Sequence, residues 1–113
     1  MRIYIDYLQD IIDSCKYIKE FTKNMSYNQF FIDTKTQYAV TRALSIIGEA
    51  VKKIPNSVRE KYSHLPWKEM AGMRDVLIHD YYGTDTEVLW QTVKKDVPMI
   101  HKELKKIISD IRK

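Results

Sequence analysis

Leu89-Trp-Gln-Thr-Val93-Lys-Lys-Asp-Val97-Pro-Met-Ile100-His-Lys-Glu-Leu104-Lys-Lys-Ile107-Ile-Ser-Asp-Ile111 decides the fold. Its apolar residues Leu89, Val93, Val97, Ile100, Leu104, Ile107 and Ile111 recur at steps of three and four, the period of one helical face. Pro98 interrupts the stripe. Its ring clashes with the carbonyl one turn back and is expected to kink the helix there.

The same pattern recurs upstream. Tyr4, Leu8, Ile11, Cys15 and Ile18 predict a first helix over about residues 2–22, followed by a turn at Lys23-Asn24-Met25-Ser26. Ser26 is a candidate N-cap for a short helix around 27–32, and Asp33 or Thr34 can cap a longer one. On that longer helix Val40, Leu44, Ile47, Val51 and Ile54 form the apolar face until Pro55-Asn56-Ser57 ends it. Ser57 can start a brief helical turn through Tyr62. A further helix opens near Pro66 with Met70, Met73 and Leu77 on its buried side, and Gly83 can supply its left-handed end. Thr84-Asp-Thr-Glu87 then reads as a capping box for the last helix. With three glycines and three prolines and no alternating pattern, strands are not expected. The chain reads as all-α: an antiparallel bundle of four to five helices, one domain spanning residues 1–113.

Composition narrows the setting. Cys15 is the only cysteine, so no intrachain disulfide forms and a reducing compartment fits. No apolar run approaches the about 20 residues that span a bilayer. The opening Met-Arg-Ile-Tyr-Ile-Asp6 brings an acidic residue too early for a secretory signal, so a cytoplasmic location is expected. Chains of this size bury a limited core and often gain stability by pairing with a copy of themselves. The net charge is +4, and residues 94–113 carry all of it, with seven basic and three acidic side chains. A solvated helix face whose cations complement the C-terminal dipole explains that excess, and so does attraction to RNA phosphates.

Chemistry concentrates in Arg74-Asp-Val-Leu-Ile-His79-Asp-Tyr81-Tyr82. Arginine holds phosphate through a charged, forked hydrogen bond. Histidine moves protons near neutral pH. Together they point to phosphodiester chemistry that needs no metal ion and no cofactor. Asp75 precedes His79 by four residues, so the two share a helix face and the carboxylate can orient the imidazole. Arg74 and His79 are five apart, about 140° around an ideal helix. Either a frayed last turn or a two-fold partner must bring them together. Elsewhere, Gly48 in mid-helix implies a close approach by another backbone. Arg42, Ser45 and Glu49 share a face as an intrahelical network or as a polar cleft wall. His64 and His101 are expected at the surface, Trp67 and Trp90 in the packing, and Met70 and Met73 in the core or a dimer interface. Tyr81 and Tyr82 are either rim residues or stacking platforms for RNA bases.

Trp67-Lys-Glu-Met-Ala-Gly-Met73-Arg74, then His79, Tyr81, Asp85 and Trp90, together with Ile46-Ile-Gly48-Glu49-Ala50, resembles the HepT-like ribonuclease toxins of the HEPN superfamily. The resemblance covers nearly the whole chain, from the first helix to Pro98. It implies a HEPN-type bundle acting as a homodimer, and a metal-independent endoribonuclease with Arg74 and His79 as catalytic residues and Asp75 and Glu49 in support. It also implies a toxin–antitoxin module whose antitoxin, a minimal nucleotidyltransferase of the MNT type, transfers AMP to Tyr81, and allows a higher assembly of the two. The alternative is a non-catalytic nucleotide-binding or assembly module in which Arg74 grips a phosphate and His79 is structural.

Overall fold

The computed structural model describes the backbone of residues 3–79 and 86–113, and the side chains of 3–73 and 86–113. Among these residues all regular structure is helical: α1 (Tyr4–Phe21), α2 (Tyr27–Phe31), α3 (Thr34–Val51), α4 (Asn56–Lys61), α5 (Trp67–His79), α6 (Thr86–Gln91) and α7 (Val97–Ile111). No helix among them is long and apolar enough to cross a membrane. The expected all-α bundle is what forms.

The boundaries follow local chemistry. Thr22 and Asn24 close α1. The Thr22 hydroxyl donates to the Ile18 carbonyl at 2.8 Å, and Asn24 takes a left-handed φ of 61°, which its short polar side chain tolerates. Ser26 caps α2 in a complete capping box: the Gln29 N–H donates to Ser26 Oγ at 3.2 Å, and the Ser26 N–H donates to Gln29 Oε1 at 2.8 Å. Asp33 caps α3, accepting from the Thr36 N–H at 2.9 Å and the Thr36 hydroxyl at 2.7 Å. Those hydrogen bonds favour its ionised form and lower its pKa. Gln37 Nε2 donates to the carbonyls of Phe30 and Phe31, both at 2.9 Å, fastening α2 onto α3. At α4 the expectation shifts by two residues, because Pro55 rather than Ser57 occupies the N-cap position.

The predicted stripes meet in one core. Leu8, Ile11, Cys15 and Ile18 of α1 face Val40, Leu44, Ile47 and Val51 of α3, with Val97, Ile100, Leu104 and Ile107 of α7, all buried. Helix α1 packs against both α3 and α7, and α3 packs against α5. Gly48 is buried on α3. Burial pushes the Cys15 thiol up to about 12, so it acts as a small apolar filler. Trp90 lies against Phe30 with ring centroids 5.0 Å apart, and Lys94 covers its ring at 4.5 Å.

The long C-terminal helix accommodates Pro98 in an unexpected form. Between α6 and α7 the chain widens into a π-helical stretch, Thr92–Asp96, where the Val97 N–H reaches back five residues to the Thr92 carbonyl. The wider turn stands where the proline ring would collide with an α-helical carbonyl. One expectation is corrected: His101 is not a surface residue. It is 7% exposed on the α7 face that meets α1, and Lys19 Nζ lies 3.3 Å from its Nδ1. His64 does stay at the surface, where Nε2 lies 3.3 Å from Glu103 Oε2. Gly83, Thr84 and Asp85, assigned above to a helix end and a capping box, lie outside the described residues.

Candidate active site

Helix α5 carries Arg74, Asp75 and His79, and its seating begins at Trp67. The indole Nε1 of Trp67 donates to the Tyr62 carbonyl at 2.9 Å, and the Tyr62 hydroxyl donates to Asp110 on α7. That second bond holds Tyr62 protonated, pushing its pKa up to about 12, and lowers that of Asp110. With the His64–Glu103 pair, the loop before α5 is thus fixed to the last helix. Sequence periodicity offers no signal for this clamp, because Tyr62 and Asp110 are distant in the chain and only folding brings them together.

Trp67 and Met70 are buried, Ala71 and Met73 half-buried, and Lys68 and Glu69 exposed. One face of α5 therefore lies on the core, on the side of α3. A Cβ built on Gly72 meets no described heavy atom within 4 Å, so no described group covers the opposite face at that level. By register, Arg74 follows Trp67 by seven residues and Met70 by four. His79 follows Gly72 by seven and Asp75 by four. The backbone stays helical through His79, so the angle of about 140° between the Arg74 and His79 positions is kept. The side chains of Arg74, Asp75 and His79 and the whole of Tyr81 and Tyr82 lie outside the described residues.

Glu49 is exposed on α3, the helix against which α5 packs. Arg42, also exposed on α3, borders a groove of about 400 Å³ between α1 and α3, with Asp10, Asp13, Tyr17 and Phe21 on the facing helix. The Tyr17 and Phe21 rings stack at 6.2 Å and remain half-exposed. The groove presents apolar rings between acidic and basic rims. Sequence reasoning placed Arg42 with Ser45 and Glu49 and overlooked the α1 side. The signal available was the spacing of Asp10, Tyr17 and Phe21 away from the Leu8–Ile18 stripe.

Comparison with known proteins gives a consistent result. The family model described as "Ribonuclease HepT-like" matches residues 11–107. A Methanocaldococcus jannaschii protein provisionally named an RNase is 53% identical over 105 residues, covering 93% of this chain and 87% of its own length. A Thermococcus cleftensis protein named "Probable ribonuclease HepT" is 49% identical over 106 residues, covering 94% and 96%. A Caldanaerobacter subterraneus protein, also provisionally named an RNase, is 44% identical over 102 residues, covering 90% and 91%. No solved structure matches the chain.

Proposed function

Because the chain belongs to the ribonuclease HepT-like family, we propose that it is an endoribonuclease toxin that cuts RNA with Arg74 and His79 and no metal ion. The observation that carries this is the placement of both residues on α5, a helix seated on the core by Trp67 and Met70. The chemistry is attack of the RNA 2′-hydroxyl on the adjacent phosphorus. The 2′-oxygen gains the bond to phosphorus, the bond to the 5′-oxygen breaks, and the products are a cyclic phosphate and a 5′-hydroxyl. His79 takes the proton from the nucleophile or gives one to the leaving oxygen, a contribution of about 10²–10⁴-fold. Arg74 holds the non-bridging oxygens as charge grows on them. Asp75, one turn before His79, fixes the imidazole tautomer, and Glu49 on the neighbouring α3 forms part of the polar wall.

The working unit is a homodimer. A helix that stays regular through His79 keeps the Arg74 and His79 positions apart on one chain, which supports a site shared between two. The α1–α3 groove, with its rings between Asp10, Asp13 and Arg42, is a surface suited to that pairing.

Control falls to Tyr81. A nucleotidyltransferase antitoxin of the MNT type directs the Tyr81 oxygen onto the α-phosphorus of ATP, expelling pyrophosphate and leaving AMP on the phenol. A bulky anion two residues from His79 then repels the RNA backbone. Both parts have direct tests. His79→Ala abolishes RNA cleavage and growth arrest while the sedimentation of the protein is unchanged, and cleavage retained by that variant refutes the assignment. Incubation with the antitoxin and ATP, followed by peptide mapping, places the adduct on Tyr81. Modification only at other residues refutes the control scheme.

A further inference from the structure

The α1–α7 seam gathers positive charge from two helices at one point. Lys16 and Lys19 stand one turn apart on α1, and Lys105 stands one turn beyond His101 on α7. Lys19 reaches the buried imidazole at 3.3 Å. An ammonium has only protons to give, so Nδ1 of His101 is the acceptor and the ring is neutral. Burial is the main cause of the lowered His101 pKa, followed by the charges of Lys19, Lys105 and Lys16. The three lysines are exposed, and no carboxylate among the described residues forms an ion pair with Lys16, Lys19 or Lys105. Glu103, the acidic residue of α7 in this region, is engaged on its other side by His64 and Lys106.

A solvated helix face does not require this arrangement. Along α1 the lysines alternate with acids in the ordinary way, Asp13 three residues before Lys16 and Glu20 four after it. What sets the seam apart is that two helices bring their lysines to a common point, where Lys19 meets a neutral ring. The group that such a cluster lacks is an anion with several oxygens. The seam also lies away from α5: α1 contacts α7 on one side and α3 on the other, and α5 packs on α3. We propose that Lys16, Lys19 and Lys105 form an anchoring site for the phosphate backbone of RNA, separate from the cleavage site and engaged only by substrates long enough to reach both. The choice of RNA over other polyanions rests on the ribonuclease reading.

Counterion release sets the expected size. On single strands each neutralised phosphate contributes about 0.7 to the slope of log K against log salt. Removing two lysines lowers that slope by about 1.4, which at 0.1 M salt is about a 25-fold loss of affinity. The probe is a long single-stranded RNA carrying 2′-O-methyl groups, which cannot be cut. Its binding to wild type and to Lys16→Ala/Lys105→Ala is measured at several salt concentrations. Both sites are exposed and helical, where alanine is the best helix former, so the variant folds. Lys16→Arg/Lys105→Arg keeps the charge and is expected to bind as wild type. The alanine pair also raises KM for a long cleavable RNA, leaves kcat unchanged, and cuts a dinucleotide like wild type.

An unchanged slope with affinity within twofold of wild type overturns the site. So does equal weakening of dinucleotide cleavage, which would mark a folding defect, or capture of anionic phospholipid vesicles with no effect of the substitutions on RNA. If the salt slope falls as expected but no RNA is cut by wild type, the anchoring site stands and the ribonuclease reading fails. If wild type cuts RNA and the slope is unmoved, the reverse holds.

Discussion

Gly72→Ala is expected to raise the stability of the protein. Gly72 sits inside α5, seven residues before the helix ends at His79, and no glycine described takes a positive φ. An added Cβ meets no described heavy atom within 4 Å. Nothing among the described residues therefore opposes the methyl group, and the gain is the difference in helix propensity between glycine and alanine, about 1 kcal/mol. For a domain slightly above 100 residues, that corresponds to a rise in Tm of about 4 °C. Calorimetry or thermal circular dichroism of the two proteins at one concentration measures it. Gly72 also lies on the His79 stripe, seven residues earlier. If Tm is unchanged or falls, that stripe is not open and a second chain already fills it. If Tm rises while RNA cleavage drops, the methyl group intrudes only on bound substrate, as an open cleft along this face requires.

Three further outcomes are expected. Met70→Ala, at a fully buried position on the same helix, costs about 2–5 kcal/mol, read as a lower urea midpoint; a loss below about 1 kcal/mol would mean α5 is not held by this contact. His101, whose pKa is lowered in the folded state, contributes stability that is complete above the unfolded value near 6.5 and is lost as pH falls through the folded value. Urea midpoints therefore decline from pH 7.5 toward acid in wild type, and His101→Gln flattens that slope; equal slopes contradict the burial of a neutral ring. Substituting Tyr62 with Phe removes the bond to Asp110 and lowers kcat more than stability, because the loop that seats α5 loses its tie to α7; unaltered kinetics would show that the clamp does not position the site.

Much of the fold was legible because burial on a helix repeats every three or four residues. Val40, Leu44, Ile47, Val51 and Ile54 are all buried as their spacing requires, and Ser26 and Asp33 cap where their side chains can accept from the next turn. His101 was misread because a polar residue type outweighed its position. Val97, His101, Leu104 and Ile108 step four, three and four, a second apolar row beside the one that was followed. The π-helical stretch was not legible: a proline announces a conflict, and either a bend or a wider turn resolves it. The lysine cluster escaped for a different reason, since Lys105 was counted within one charged helix while its companions are on α1. For the candidate site, the sequence specified which residues share α5 and that Arg74 and His79 stand about 140° apart on a regular helix. How those groups are brought together is a matter of tertiary or quaternary contact and has no period to betray it.

Mixing two inactive variants tests the central claim most directly. Arg74→Ala and His79→Ala proteins are each expected to leave RNA intact. Co-refolded in equal amounts, they form mixed dimers in which one shared site has lost both groups and the other keeps its arginine and its histidine. Cleavage is then expected to return to about a quarter of the wild-type rate, given random pairing of symmetric dimers. Cleavage by either variant alone would contradict the roles given to Arg74 and His79, and no recovery in a mixture shown to contain mixed dimers would contradict the shared site.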